Sequence, residues 1–299
     1  MTRPVTVAAV QMSSGSWQFD DNIARAESLI RNAAAQGANI ILCPELFMSP
    51  YFCINQDYAR IALAQPVEGN QQLTHFSKLA KELGVVIPVG FYERSGNSAF
   101  NSVAIFDADG NLLGVYRKTH IPDGPGYNEK FYFTPGDTGF KVWKTKFGSI
   151  GVGICWDQWY PETARAMALM GAELLFFPTI IGSEPHDPAL DTAMHWQRTM
   201  QGHAAANMMP VISANRIGTE TATVNATGSS VTSTFYGSSF IADHTGAKLQ
   251  EANRSDETIL VQKFDLDHIA EARHTFGFFR DRRPESYKKI VTTDGVERS

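Results

Sequence analysis

Three side chains able to perform acyl transfer together, a thiol, a carboxylate and an ammonium, each stand at the end of a strand-like apolar run in this chain. Cys155 closes the alternating small and β-branched run of residues 150–155, and Pro161-Glu162 shortly after open a helix. A strand-to-helix junction gives a nucleophile reach, and this one resembles a nucleophile elbow without its Gly-x-Ser-x-Gly signature. Glu45 follows Ile40-Ile41-Leu42-Cys43-Pro44, and Lys118 follows Leu112-Leu113-Gly114-Val115-Tyr116-Arg117.

Taken singly, each has a plainer reading: a core thiol, a capping carboxylate and an exposed lysine beside an edge strand. Together they form a workable set. A free thiol with a pKa near ~8.5 is scarcely ionised at neutral pH and needs a base or a cation. A carboxylate among Leu42, Leu46 and Phe47 suits proton exchange. An ammonium beside the attacked carbonyl would stabilise the oxyanion, with the backbone N–H of Trp156 as second donor. The rival thiols are weaker: Cys43 lies within an apolar strand, and Cys53 lies in a loop beyond Pro50-Tyr51.

The elements that must position these groups alternate along the chain. Periodicity predicts strands near residues 5–12, 40–43, 85–92, 102–108, 112–117, 149–155, 174–177, 211–214, 235–241 and 258–264. Helices are expected near 20–36, 71–83, from Pro161, and over 191–207. Two sheets covered by helices suit this order. Residues 219–234, rich in Ser and Thr, read as a long surface loop. With 299 residues, 43% hydrophobic and no separating linker, the chain is expected to form one domain, its tail (about 265–299) packing at the surface or a subunit interface.

The net charge of −5 argues against nucleic-acid binding, and the basic cluster Arg280 to Arg283 with Lys288-Lys289 reads as salt-bridged tail packing. Three cysteines without paired spacing point to a reducing compartment. No leader-like segment opens the chain, and no apolar run approaches the ~20 residues that span a bilayer. A soluble cytoplasmic protein is expected. The eight histidines show no metal-site spacing, and no cofactor is expected. Residues 114–119 lack the second glycine of a P-loop, and 151–153 lack the third glycine of a dinucleotide fingerprint.

The order Glu45, Lys118, Cys155 resembles the Glu-Lys-Cys triad of the nitrilase, or carbon-nitrogen hydrolase, superfamily, over residues 5 to about 287. The strings at 120–140, 153–159, 181–185 and 274–284 are similar to those of its branch acting on N-carbamoylputrescine. The resemblance implies an α/β fold, a four-layer αββα sandwich, and a homo-oligomer. It also implies a supporting role for Glu129, which would orient the lysine or the substrate amide. The implied reaction is hydrolysis of N-carbamoylputrescine to putrescine, carbon dioxide and ammonia through a cysteine thioester, in polyamine synthesis from agmatine. Such a cationic carbamoyl amine wants an anion at the far end of its pocket. Glu184, and after it Asp187, are the candidates, with Tyr51, Tyr127 and Trp156 lining the channel for the butyl chain. Alternatives are a β-ureidopropionase-like hydrolase, which would want Arg or Lys there, a glutaminase module, and a non-catalytic scaffold of the same fold.

Overall fold

The computed structural model describes residues 2–224 and 228–296. In chain order its strands are β1 (Pro4–Gln11), β2 (Ile40–Leu42), β3 (Ile87–Ser95), β4 (Ser98–Phe106), β5 (Leu112–Arg117), β6 (Val142–Thr145) and β7 (Gly148–Val152). They continue as β8 (Leu174–Thr179), β9 (Val211–Asn215), β10 (Ile217–Thr223), β11 (Ser230–Tyr236), β12 (Phe240–Ala242), β13 (Lys248–Glu251) and β14 (Thr258–Asp265). The helices are α1 (Phe19–Ala35), α2 (Gln71–Leu83), α3 (Glu129–Tyr132), α4 (Pro161–Leu169), α5 (Ala193–Asn207) and α6 (Leu266–Phe276).

The apolar strands lack clean alternation because both their faces are covered. Along β8, Leu174 and Phe176 enter the core between the two sheets, while Leu175 and Phe177 pack under α4 and α5. Along β1, Val5, Val7 and Ala9 face inward, and Ala8 and Val10 meet α1 and α2. α1 offers Ile23, Ala26, Ile30 and Ala33 at helical spacing, all buried. α2 begins where Asn70 accepts a hydrogen bond from Leu73 N and ends at Gly84, whose φ of 67° caps the helix.

One sheet has the order β13-β12-β9-β8-β7-β6. In the other, β14-β1-β2 joins β3-β4-β5 where Ile41 N donates to Val86 O and Val86 N to Asn39 O. Helix, sheet, sheet, helix is the observed layering, as in the αββα sandwich expected.

Three local expectations are corrected. Residues 219–234 do not form a loop: β10 and β11 pair as a hairpin, with Thr219 opposite Thr234 and Thr221 opposite Thr232. β-branched residues suit such cross-strand pairs; residues 225–227 of that stretch lie outside the described residues. The single strand expected over 235–241 breaks at Gly237 and Ser238, whose φ values are 53° and 56°. Cys155 does not end a strand, since β7 stops at Val152 and Cys155 starts a 3-10 turn, Cys155–Trp159. A helix missed in the sequence, α6, buries Leu266 and Ile269 and begins the tail; residues 297–299 of the tail lie outside the described residues.

Candidate active site

Glu45 sits just beyond β2 in a loop held from beneath. The next residue, Leu46, has φ 44°, a region that non-glycine residues seldom occupy. The buried guanidinium of Arg216 donates to Leu46 O (3.0 Å) and Ser49 O (2.9 Å) and pairs with Glu220 (2.8 Å). Lys118, the residue after β5, has its carbonyl bound by Gly136 N at 2.8 Å. That approach requires glycine, because a Cβ at position 136 would lie 2.1 Å from Arg117 O. Cys155 has φ 43° at the head of its turn.

These three segments converge. Lys118 Nζ donates to Glu45 Oε1 at 2.8 Å and to Glu129 Oε2 at 2.6 Å, and all three side chains are buried. Asn101 Nδ2 donates to Glu45 Oε1 (2.6 Å), and the backbone of Ile180 donates to Glu45 Oε2 (3.0 Å). The carbonyl of the same Ile180 accepts from Cys155 Sγ at 3.4 Å. One residue at the end of β8 thus bridges carboxylate and thiol. Glu129 opens α3, and Tyr51 OH donates to its Oε1 at 2.8 Å.

Burial pushes the Cys155 thiol well above its usual pKa; Glu45 adds to that, while Lys118 opposes it. The resting residue is therefore a thiol, hydrogen-bonded to the Ile180 carbonyl. Burial alone would lower the Lys118 pKa, but Glu129 and Glu45 outweigh it and hold the ammonium charged. Burial raises Glu129 to about 7, against the pull of Lys118 and with the push of Glu45.

Above the thiol opens a cavity of about 530 Å³, a volume suited to a small ligand. Tyr127, Glu129, Cys155, Trp156, Trp159 and Glu184 are among its lining residues, with Asp123, His186 and His195 supplying further polar groups. The lining contains no Lys or Arg among the described residues. Tyr127 OH accepts from Gly182 N and donates to Ser183 O, both at 3.1 Å, fixing the loop that carries Glu184. Burial raises the Glu184 pKa, opposed by His186.

Two expected lining residues lie elsewhere. Tyr51 stands behind Glu129, in a core cluster with Phe52 and Phe235, because its ring is wholly buried and its hydroxyl is taken up by that carboxylate. Asp187 is exposed and turns into its own loop, accepting from Ala189 N at 3.2 Å. Sequence reasoning passed over Asn101, Arg216 and Ile180. The first two are polar groups inside or beside apolar strands, a detectable signal, whereas Ile180 acts through its backbone and its side chain carries none.

Among the described residues, no group of three or more His, Cys, Asp or Glu could hold a metal ion, and no helix is long and apolar enough to cross a membrane. The family model for carbon-nitrogen hydrolase matches residues 6–274. The chain is 57% identical over 291 residues to N-carbamoylputrescine amidase of Oryza sativa subsp. japonica, covering 97% of this chain and 96% of that one. It is 52% identical over 287 residues to a citrullinase of Francisella tularensis, covering 96% and 98%. A crystal structure of a carbon-nitrogen hydrolase from Helicobacter pylori superposes with a TM-score of 0.89 at 35% identity, over 97% of this chain and 99% of that chain. With a family match across most of its length and relatives above half identity, the chain belongs to the carbon-nitrogen hydrolase family.

Proposed function

We propose that this protein hydrolyses N-carbamoylputrescine to putrescine, carbon dioxide and ammonia, in putrescine formation from agmatine. The observation that carries the substrate choice is the cavity wall: among the described residues it presents Glu184, with Asp123 also lining it, and no Lys or Arg. A protonated alkylamine gains from such a wall, whereas an anionic ureide such as N-carbamoyl-β-alanine would face like charge there. Citrulline, which also bears a ureido group, carries a carboxylate that no Lys or Arg among the described lining residues would meet.

In the reaction, Glu45 takes the Cys155 proton as the thiolate attacks the ureido carbon. Lys118 and the Trp156 N–H stabilise the tetrahedral oxyanion. Collapse expels an amine, protonated by Glu45, and leaves a thioester-type carbamoyl enzyme. Glu45 then deprotonates a water that attacks this carbonyl and frees the thiol. The carbamic acid formed loses carbon dioxide, so one water is consumed per ureide. Glu129 holds Lys118 from the far side, and Tyr51 holds Glu129. Tyr127 and Trp156 flank the butyl chain, and Glu184 meets the distal ammonium.

The chain acts as one domain in this reading, in the cytoplasm, and associates with further copies. Phe276, Ile290 and Val291 in the tail are 62%, 60% and 87% exposed, which supports a subunit contact there. The test is ammonia release from N-carbamoylputrescine, citrulline and N-carbamoyl-β-alanine by the wild type and Cys155→Ser. Preference for the first, abolished in the variant, is expected; preference for either of the others overturns the substrate assignment, and turnover by Cys155→Ser overturns the nucleophile.

A further inference from the structure

We infer that Asp157 is a positioning residue whose carboxylate sets the spacing between Lys118 and Cys155. The inference rests on the roles proposed above for those two residues. Asp157 is fully buried, and its oxygens accept four hydrogen bonds from two segments. Oδ1 accepts from the backbone N (2.9 Å) and ring Nδ1 (2.7 Å) of His120. Oδ2 accepts from Tyr116 OH (2.8 Å) and Ile154 N (3.0 Å).

These partners bracket the chemistry. Lys118 lies midway between Tyr116 and His120, and Cys155 lies between Ile154 and Asp157. The lysine segment leaves β5 in one sheet and the cysteine segment leaves β7 in the other. Packing between the two sheets is apolar and non-directional, so it fixes their separation more firmly than their register. Asp157 supplies directional bonds across that boundary at the level of the reacting groups. His120 is itself braced, its ring stacked on Tyr160 at 3.7 Å with an interplanar angle of 7°.

The turn adds a second effect. Asp157 N donates to Ile154 O at 3.0 Å while Ile154 N donates back to Oδ2, enclosing Cys155 at its φ of 43°. A non-glycine residue stays in that region only where its surroundings over-determine it. Glu45, Lys118 and Glu129 are the leading charges acting on the thiol, and Asp157 sets where the Lys118 and Cys155 segments stand through its hydrogen bonds.

The test uses the full chain and two readouts: kcat and KM with N-carbamoylputrescine, and the pH dependence of Cys155 alkylation by iodoacetamide, followed by peptide mass spectrometry. Asp157→Asn is expected to lower kcat about 100-fold, the order expected for a misplacement near 1 Å, with KM within about twofold. Its alkylation profile is expected to move to higher pH as Lys118 withdraws from the thiol. Tyr116→Phe removes a single donor and is expected to move both readouts the same way by less. His120→Asn, which keeps a side-chain donor, is expected to retain more activity than His120→Leu. Tyr116→Phe and the His120 pair decide the matter if Asp157→Asn does not fold. Variants that melt earlier with unchanged kcat and alkylation profile would overturn the inference and leave Asp157 a structural residue. Alkylation needs no substrate: a shifted profile in the variants of a protein inert toward N-carbamoylputrescine would support this inference and overturn only the substrate reading.

Discussion

Replacing Glu184 with Gln isolates the contribution of one charge to substrate choice. The Glu184 side chain is 21% exposed, neither in open water nor in a dry interior. A substrate ammonium ~4 Å away would gain about 4 kcal/mol at an effective dielectric near ~20, and about 1 kcal/mol in bulk water. Partial exposure places the gross attraction between these limits, and desolvation of the ammonium returns part of it. A net ~1.5–2 kcal/mol corresponds to a rise in KM of roughly 10- to 30-fold. Because the ammonium is remote from the reacting carbon, the contact is the same in ground and transition states, and kcat should change little. The assay compares N-carbamoylputrescine with N-pentylurea, which carries a methyl group in place of the ammonium. KM for the neutral ureide should stay within about twofold, since no charge is lost against it. Burial raises the Glu184 pKa, so acidification removes the negative charge and should raise wild-type KM for the cation from a higher pH than a free carboxylate would. In Glu184→Gln that acid rise should be absent. An equal effect on both ureides, or none on the cationic one, would rule out Glu184 as the partner of the ammonium.

Lys118→Met leaves Glu45 and Glu129 facing each other without the ammonium that lies 2.8 and 2.6 Å from them, and removes the proposed oxyanion donor. kcat should fall by about 10³-fold or more, with the alkylation profile of Cys155 moved to higher pH; a loss under tenfold would argue against the oxyanion role. Glu129 has its pKa raised from 4.5 to about 7, so the folded protein binds that proton more tightly than the unfolded chain. Its contribution to stability is fully present below the lower value and is lost as pH rises through the upper one. Melting temperature measured across this window should therefore decline more steeply with pH in the wild type than in Glu129→Gln, and parallel curves would contradict the raised pKa.

The residues 71–83 and 112–117 show how far local information reaches: the helix and strand expected there have the bounds observed for α2 and β5. Each is set by neighbours along the chain, through an Asn cap and a Gly stop for α2 and a compact apolar run for β5. Hairpin β10–β11 was hidden because Ser and Thr serve loops and exposed strands alike, and only pairing partners distinguish the two. The break at Gly237 was similarly invisible inside an aromatic run that reads as one strand.

At the site, residue type and order along the chain were enough to give the chemical inventory: a thiol, two carboxylates and an ammonium at element ends, on a chain whose motifs matched its family. Tertiary structure alone decided which of them meet. Glu45 and Lys118 are 73 residues apart in the chain and 2.8 Å apart in space, a closure that depends on β2 and β3-β4-β5 joining into one sheet, while Cys155 reaches them from the other sheet. It placed Tyr51 behind Glu129 and turned Asp187 into its own loop, while Glu184 faces the cavity two elements from the thiol. It also brought in the Ile180 backbone, which bridges the Glu45 carboxylate and the Cys155 thiol through groups every residue possesses. Side-chain type is local information, but the aim of a side chain or a peptide group is a property of long-range packing, and packing is where the chemistry of this chain is assembled.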